Sequence, residues 1–216
     1  MSITVLKDLR ASFGPARDQD PRPTCMAFAA SDAHAGARPG SDPLSVEWAY
    51  YHALKRDGVE PHQGVHFSTM LAALRGDGQP AEAQWPYIAE LFTDFAAWKP
   101  PASADPIFRR ESVPAKASVP DIVGQLDQDQ PVLFTMSISP AFYRPDPTGL
   151  ISANEPLMPK RVHALVAVGH GTRGVDQFVM VRNSWGEGWG LAGHAWMDTA
   201  YLAPRLLAAA TMAGEP

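Results

Sequence analysis

The chain has 216 residues, of which 45% are hydrophobic and 19% are charged, and its formal net charge is −5 at pH 7. This much apolar material is enough for one substantial domain or two small lobes. It excludes a mostly disordered chain, which needs low hydrophobicity and high net charge. Because no basic surplus exists, nucleic acid is not expected as the main partner.

The N-terminus does not resemble a secretory signal. Residues 1–9 hold one lysine and a short apolar patch, with no small-residue cleavage site. No stretch approaches the ~18 consecutive apolar residues of a membrane span. The chain has one cysteine, so no intramolecular disulfide can form, which suits a reducing compartment. We therefore expect a cytoplasmic protein with no membrane partner; the oligomeric state stays open.

The first half of the sequence predicts three short helices. Thr24 is the expected N-cap of a helix that runs from Cys25 through Asp32, and Ser45 opens a second helix that ends at residues 57–58. Ser68 begins a third, which stops at residues 76–78. Residues 99–120 hold many prolines and read as a connecting segment.

The second half changes to the pattern of β-strands. Strands are predicted at residues 131–139, 162–169 and 177–182, with a fourth candidate at residues 195–197. The run 206–213 is expected to be a short helix or a frayed tail. Helices first and strands second indicate an α+β protein with two segregated lobes and a site in the cleft between them.

Cys25 stands at the predicted start of the first helix. A helix N-terminus favours thiolate over thiol, so this cysteine is a candidate nucleophile, although free cysteines are more often small buried hydrophobes. A nucleophile needs a base, and His163, alone among seven histidines, lies in a clear strand with apolar neighbours. A core histidine bonded to a backbone carbonyl is the alternative for His163.

Asn183 follows the next strand and begins the sequence Asn-Ser-Trp-Gly. Its amide oxygen could accept a hydrogen bond from the imidazole N–H of His163 and hold the tautomer, while Trp185 shields that bond from water. The alternative is an ordinary turn.

These residues together resemble the papain-like cysteine peptidase family. The resemblance rests on Gln19 and Cys25, on His163 within its apolar strand, and on Asn183 with Trp185, and it covers nearly the whole chain. It implies a single catalytic domain over 1–216, with a helical lobe over roughly 20–110. A β lobe resembling an antiparallel barrel would span roughly 111–216, with residues 1–19 packing on it.

The resemblance also implies a hydrolase that cleaves peptide bonds in peptide or protein substrates through an acyl-enzyme, with no cofactor. Cys25 would be the nucleophile, His163 the acid and base, Asn183 the orienting residue, and Gln19 an oxyanion donor. Trp185 would cover the pair. The substrate cleft would be lined by the residues Gly64, Val65, Phe67, Val162 and Trp185, and residues 139–161 could shape the leaving-group side.

The chain departs from the family around the nucleophile. Where the family usually has Cys-Gly-Ser-Cys-Trp, this sequence has Arg22-Pro23-Thr24-Cys25-Met26, so Arg22 stands where the first cysteine of a family disulfide would be. No inhibitory prosegment is visible before this region.

Two rival functions remain open. One is a catalytically silent module of the same fold that binds peptides, although such a cleft needs no nucleophile. The other is a thiol amidase or isopeptidase with the same catalytic residues. A metal site at His62 and His66 is disfavoured, because no carboxylate lies between them and the segment reads as a loop.

Overall fold

Local sequence explains the helices of the first half. The computed structural model describes residues 2–38, 40, 42–152, 156–158 and 161–214. The predicted helices are confirmed as α1 (Cys25–Gly36), α2 (Val46–Asp57) and α3 (Phe67–Gly76). The Ser45 side chain caps α2 by accepting from the Trp48 N–H at 3.2 Å, and Gly58 ends the helix with a left-handed φ of 66°.

Two details of these helix ends differ from the prediction. Thr24 precedes α1, but its hydroxyl does not cap the helix and lies 2.9 Å from the hydroxyl of Tyr87 instead. The third helix begins at Phe67 rather than Ser68, with His66 as its N-cap residue.

In the part of the chain that the structure describes, eight strands form one sheet. They are β1 (Thr4–Asp8), β2 (Ser112–Ala115), β3 (Val132–Ser137), β4 (Leu150–Ile151), β5 (Val162–Arg173), β6 (Asp176–Arg182), β7 (His194–Asp198) and β8 (Leu206–Met212). The order is β2-β8-β3-β5-β6-β7-β4, with β1 also paired to β5. All pairs are antiparallel except β4 with β7. Within the described ranges the end strands β2 and β4 do not pair with each other, so the sheet is mixed and open rather than a closed barrel. The predicted α+β fold class is confirmed.

The prediction of a helix or frayed tail at residues 206–213 was wrong. Alanine favours helices, yet β8 pairs with β3 on one side and β2 on the other. Strand pairing on both sides overrides the local preference for a helix. The segment 99–120, predicted to be a connection, contains the strand β2, which pairs with β8. The helix α4 (Val119–Asp127) begins at the C-terminal end of that segment.

The sheet carries an apolar core on each face. Along β5, Ala164, Val166 and Val168 face the core shared with α1, α2 and α3. The alternate residues Leu165 and Ala167 face a second core that contains residues of α4. Because β5 is buried on both faces, it reads as a continuous apolar run rather than an alternating one.

Further short helices are α5 (Pro140–Tyr143) and α6 (Thr199–Leu202), with single 3₁₀ turns at Arg10–Ser12, Glu82–Gln84 and Ala203–Arg205. The first strand pairs with the far end of β5, where a Cβ on Gly169 would lie 2.5 Å from the carbonyl oxygen of Lys7. Within the described ranges, none of the helices combines the length and apolar character that a membrane span requires. The lobe boundary near residue 110 stays a prediction.

Candidate active site

Cys25 is the first residue of α1, and its half-buried side chain packs against the core on the helical face of the sheet. Burial raises the pKa of the Cys25 thiol, but the hydrogen bond and charge of His163 lower it. Hydrogen bonds with the main chain at Ala164 and Met26 lower it further, so that the net pKa lies below the ordinary value. The arrangement therefore favours a thiolate.

His163 is the second residue of β5 and is buried. Its Nε2 atom lies 2.7 Å from Oδ1 of Asn183, the residue directly after β6. The same Oδ1 accepts from the N–H of Ser184 at 2.8 Å, which sets the orientation of the amide. Since an amide oxygen only accepts, Nε2 of His163 carries the proton, and Nδ1 is left for Cys25.

Aromatic rings surround this hydrogen bond. The ring of Trp185 lies 4.8 Å from that of His163 at an interplanar angle of 45°. The ring of Tyr143 also stacks on Trp185, at 5.2 Å and 20°. Phe142, which is fully buried, lies 5.5 Å from His163, and its carbonyl oxygen accepts from Nε1 of Trp189 at 3.1 Å. These rings limit the access of water to His163 and Asn183.

Phe142 and Tyr143 were not identified from the sequence as individual site residues. They belong to α5, inside the segment 139–161 that the sequence indicated only as a whole. The available signal was a proline followed, after one alanine, by two aromatic residues, but contact with Trp185 depends on the fold. Residues 153–155 and 159–160 of that segment lie outside the described residues.

Gln19 joins the loop before Cys25 to the segment after β6. Its Nε2 donates to the carbonyl oxygen of Arg22 at 2.8 Å, and its Oε1 accepts from the hydroxyl of Ser184 at 2.8 Å. The main-chain N–H of Gln19 also donates to the carbonyl of Ser184 at 2.8 Å. Since a primary amide has two N–H groups, one donor of Gln19 is left over from the Arg22 contact.

The structure thus brings Cys25, His163, Asn183 and Trp185 into one cluster, and Gln19 reaches that cluster through Ser184. The other predicted residues lie further out. Gly64 is exposed on the loop before α3, and a Cβ there would meet nothing within 4 Å. Val65 and Phe67 are half-buried against the core that also contacts Cys25, and Val162, beside His163, is 51% exposed.

The two histidines considered for a metal have separate partners. Nε2 of His62 lies 2.8 Å from the carbonyl oxygen of Phe92, and Nδ1 of His66 lies 3.1 Å from the carboxylate of Asp57. Within the described ranges, no group of three or more His, Cys, Asp or Glu side chains could hold a metal ion.

Known proteins resemble this chain in sequence and in fold. The sequence profile of the family described as "Papain family cysteine protease" matches residues 51–204, a range that includes His163 and Asn183 and leaves out Gln19 and Cys25. A curated "Cysteine protease" from Blomia tropicalis is 31% identical over 87 residues. That alignment covers 40% of this chain and 26% of the relative, so the chain matches about a quarter of the relative's length.

Solved structures show the same fold. Xylellain, a cysteine protease from Xylella fastidiosa, superposes with a TM-score of 0.80 and 20% identity, over 98% of this chain and 86% of its own. The bromelain protease from Ananas comosus, in complex with the E64 inhibitor, superposes with a TM-score of 0.72 and 19% identity, over 95% and 96% of the two chains.

Proposed function

The chain belongs to the papain family of cysteine proteases, and from that premise we propose that it hydrolyses peptide bonds in peptides or proteins through Cys25, His163 and Asn183. One observation carries the proposal. The imidazole of His163 lies between the thiol of Cys25, whose pKa it lowers, and the amide oxygen of Asn183, 2.7 Å from Nε2. This order of nucleophile, base and orienting residue is the one that thiol acyl transfer requires.

In the proposed reaction, the Cys25 thiolate attacks the substrate carbonyl carbon and forms a C–S bond. The C–N bond then breaks, and the leaving amine takes the proton from the His163 imidazolium. A water molecule attacks the thioester, His163 accepts its proton, and the acid is released as the thiolate re-forms. Asn183 keeps the imidazole of His163 oriented through both steps, and Trp185 keeps water from the hydrogen bond between His163 and Asn183.

The negative oxygen of each tetrahedral intermediate needs hydrogen-bond donors. We assign this role to the backbone N–H of Cys25 and to the second N–H of the Gln19 side chain. Removing one such donor typically lowers kcat by about 10²- to 10³-fold, so Gln19→Ala is expected to retain measurable activity.

The open space around Gly64 supports a further assignment, because a substrate main chain can approach a glycine and bond to it as an added strand. Val65 and Phe67 on the helical side, and Val162 beside His163, are proposed to form apolar walls of the cleft. Trp185 would border the side from which the amine leaves.

The proposal is tested with E-64, the inhibitor bound in the bromelain structure, and with a mixture of fluorogenic peptides. The wild-type chain should hydrolyse peptide and gain the mass of one inhibitor molecule. Because the chain has one cysteine, an adduct can be assigned to Cys25 by intact mass. Cys25→Ala should show neither result.

The urea-unfolded chain serves as the control for the reactivity of an ordinary thiol. Labelling of the native chain no faster than this control, together with no hydrolysis, would contradict the proposal and favour a catalytically silent peptide-binding module. Rapid labelling with hydrolysis of isopeptide or simple amide substrates only would indicate the isopeptidase or amidase alternative.

A further inference from the structure

Arg22 is a fully buried arginine in the loop that leads to Cys25. It is among the largest side chains with less than 2% exposure. Arginine is almost never fully buried unless it is paired, so its partners indicate what holds the loop in place.

The guanidinium of Arg22 forms an ion pair with Glu47 of α2, which is also fully buried, and donates to the carbonyl oxygen of Ile88. Glu47 is held independently, because its carboxylate accepts from the N–H of Ile88 at 2.9 Å and from Nε1 of Trp98 at 2.8 Å. Three rings enclose the guanidinium, with centroids 4.9 to 5.4 Å from Cζ: those of Tyr50, Tyr87 and Phe92. Charge, hydrogen bonds and ring contacts together therefore anchor the Arg22 side chain.

The main chain of the same residue holds Gln19. The carbonyl oxygen of Arg22 accepts from Nε2 of Gln19 at 2.8 Å and from the N–H of Thr24 at 2.8 Å. Tyr87, which packs on the guanidinium, donates its hydroxyl to the carbonyl of Gln19 at 2.7 Å. The acceptor that fixes the Gln19 amide therefore belongs to the same residue whose side chain is anchored by Glu47.

We propose that the buried Arg22–Glu47 pair is a positioning device for the Gln19 side-chain amide. It anchors the loop at the position where the family's motif has a cysteine, in a chain that has no second cysteine. The inference rests on the proposed function, because placing this amide affects turnover only if Gln19 donates to the oxyanion.

The test is a double-mutant cycle between this pair and Gln19. Arg22→Met/Glu47→Gln removes both charges together, so that no buried charge is left alone, and it is made in the wild-type and Gln19→Ala backgrounds. A displacement of about 1 Å in a catalytic group can cost about 10²-fold in rate. In the wild-type background we therefore expect a kcat roughly 10²-fold lower, with KM changed less than about threefold.

In the Gln19→Ala background the same change should lower kcat by less than about threefold, because no amide remains to be placed. The rate of Cys25 alkylation by iodoacetamide, which forms no oxyanion, should stay within about twofold of wild type. Asp8→Asn/Arg10→Met, which removes an exposed ion pair at the end of β1, is the matched control and should leave kcat unchanged.

Equal losses of kcat in both backgrounds, or an alkylation rate that falls together with kcat, would show a structural role only and overturn the proposal. If the double variant shows no cooperative melting, Arg22→Lys replaces it in the same cycle. Lysine keeps the charge but loses the fork of donors to Glu47 and Ile88, so kcat should fall in the wild-type background and stay nearly unchanged in the Gln19→Ala background. A wild-type chain that is alkylated rapidly but hydrolyses no peptide would remove the proposed function itself, and the positioning role with it.

Discussion

Side-chain contacts hold much of the loop before Cys25, whereas His163 and Asn183 are placed by the strands β5 and β6. In the loop before Cys25, the side chain of Arg22 forms a buried ion pair with Glu47 of α2. By contrast, β5 is paired on both sides, with β3 and β6, and Asn183 continues from β6. Backbone pairing between strands tolerates most side-chain replacements. By contrast, removing one partner of a buried ion pair leaves the other charge uncompensated and strongly destabilises the protein. The nucleophile's half of the site should therefore be the more sensitive to substitution and to acid.

Asp32 offers the largest expected effect on stability. This buried residue of α1 binds Arg17 and Arg182, each at 2.7 Å, and so ties the helix to the N-terminal segment and to β6. Removing one partner of a buried pair costs about 3–5 kcal/mol. Asp32→Asn should lower the free energy of unfolding by an amount in this range, measured by urea denaturation at pH 7. A loss below about 1 kcal/mol would show that the helix is not held by this cluster.

Acid should act on the helical half through His34, a fully buried residue of α1. Burial lowers its pKa to about 4, although the hydrogen bond with Gln79 acts in the opposite direction. Because the unfolded chain has the higher pKa, near 6.5, it gains a proton first as the pH falls. The contribution of neutral His34 is therefore complete above pH 6.5 and is lost as the pH falls towards 4.

Between pH 7 and pH 4.5 this linkage lowers the free energy of unfolding by roughly 2.5 kcal/mol. Glutamine cannot be protonated, so the free energy of unfolding of His34→Gln should fall less between pH 7 and pH 4.5 than that of the wild type. Urea midpoints measured at the two pH values check this. An identical pH dependence in the variant would contradict the assignment to His34.

The smallest effect is expected at the surface. Asp8 and Arg10 form an ion pair whose side chains are 36% and 40% exposed. Exposed pairs contribute about 0–1 kcal/mol, so Asp8→Asn should change the free energy of unfolding by less than about 1 kcal/mol. A loss as large as that for Asp32→Asn would remove the contrast between buried and exposed pairs.

The sequence predicted best what depends on neighbouring residues or on an ordered motif. Ser45 and Gly58 mark the ends of α2 locally, and the set of Gln19, Cys25, His163 and Asn183 was selected by resemblance. The strand β8 was missed because its alanines favour a helix and only the partners on both sides make it a strand.

Contacts between distant residues could not be predicted. The partner of Arg22 lies on α2, and nothing in the surrounding sequence indicates that this arginine is buried against it. The stacking of Tyr143 on Trp185 likewise depends on how α5 packs beside the segment after β6. Both arise from the fold as a whole, because side chains far apart in sequence meet only after the sheet and helices have packed.

The pH dependence of Cys25 alkylation tests the thiolate–imidazole pair most directly. Iodoacetamide reacts with the thiolate, so its rate in the native chain should stay high well below pH 8.5, the pKa of a free thiol. His163→Ala removes the group that lowers the pKa of Cys25. At pH 6, where a free thiol is only about 0.3% ionised, this variant should react about 10²-fold more slowly than wild type. Identical profiles for the two proteins, both rising near pH 8.5, would contradict the account.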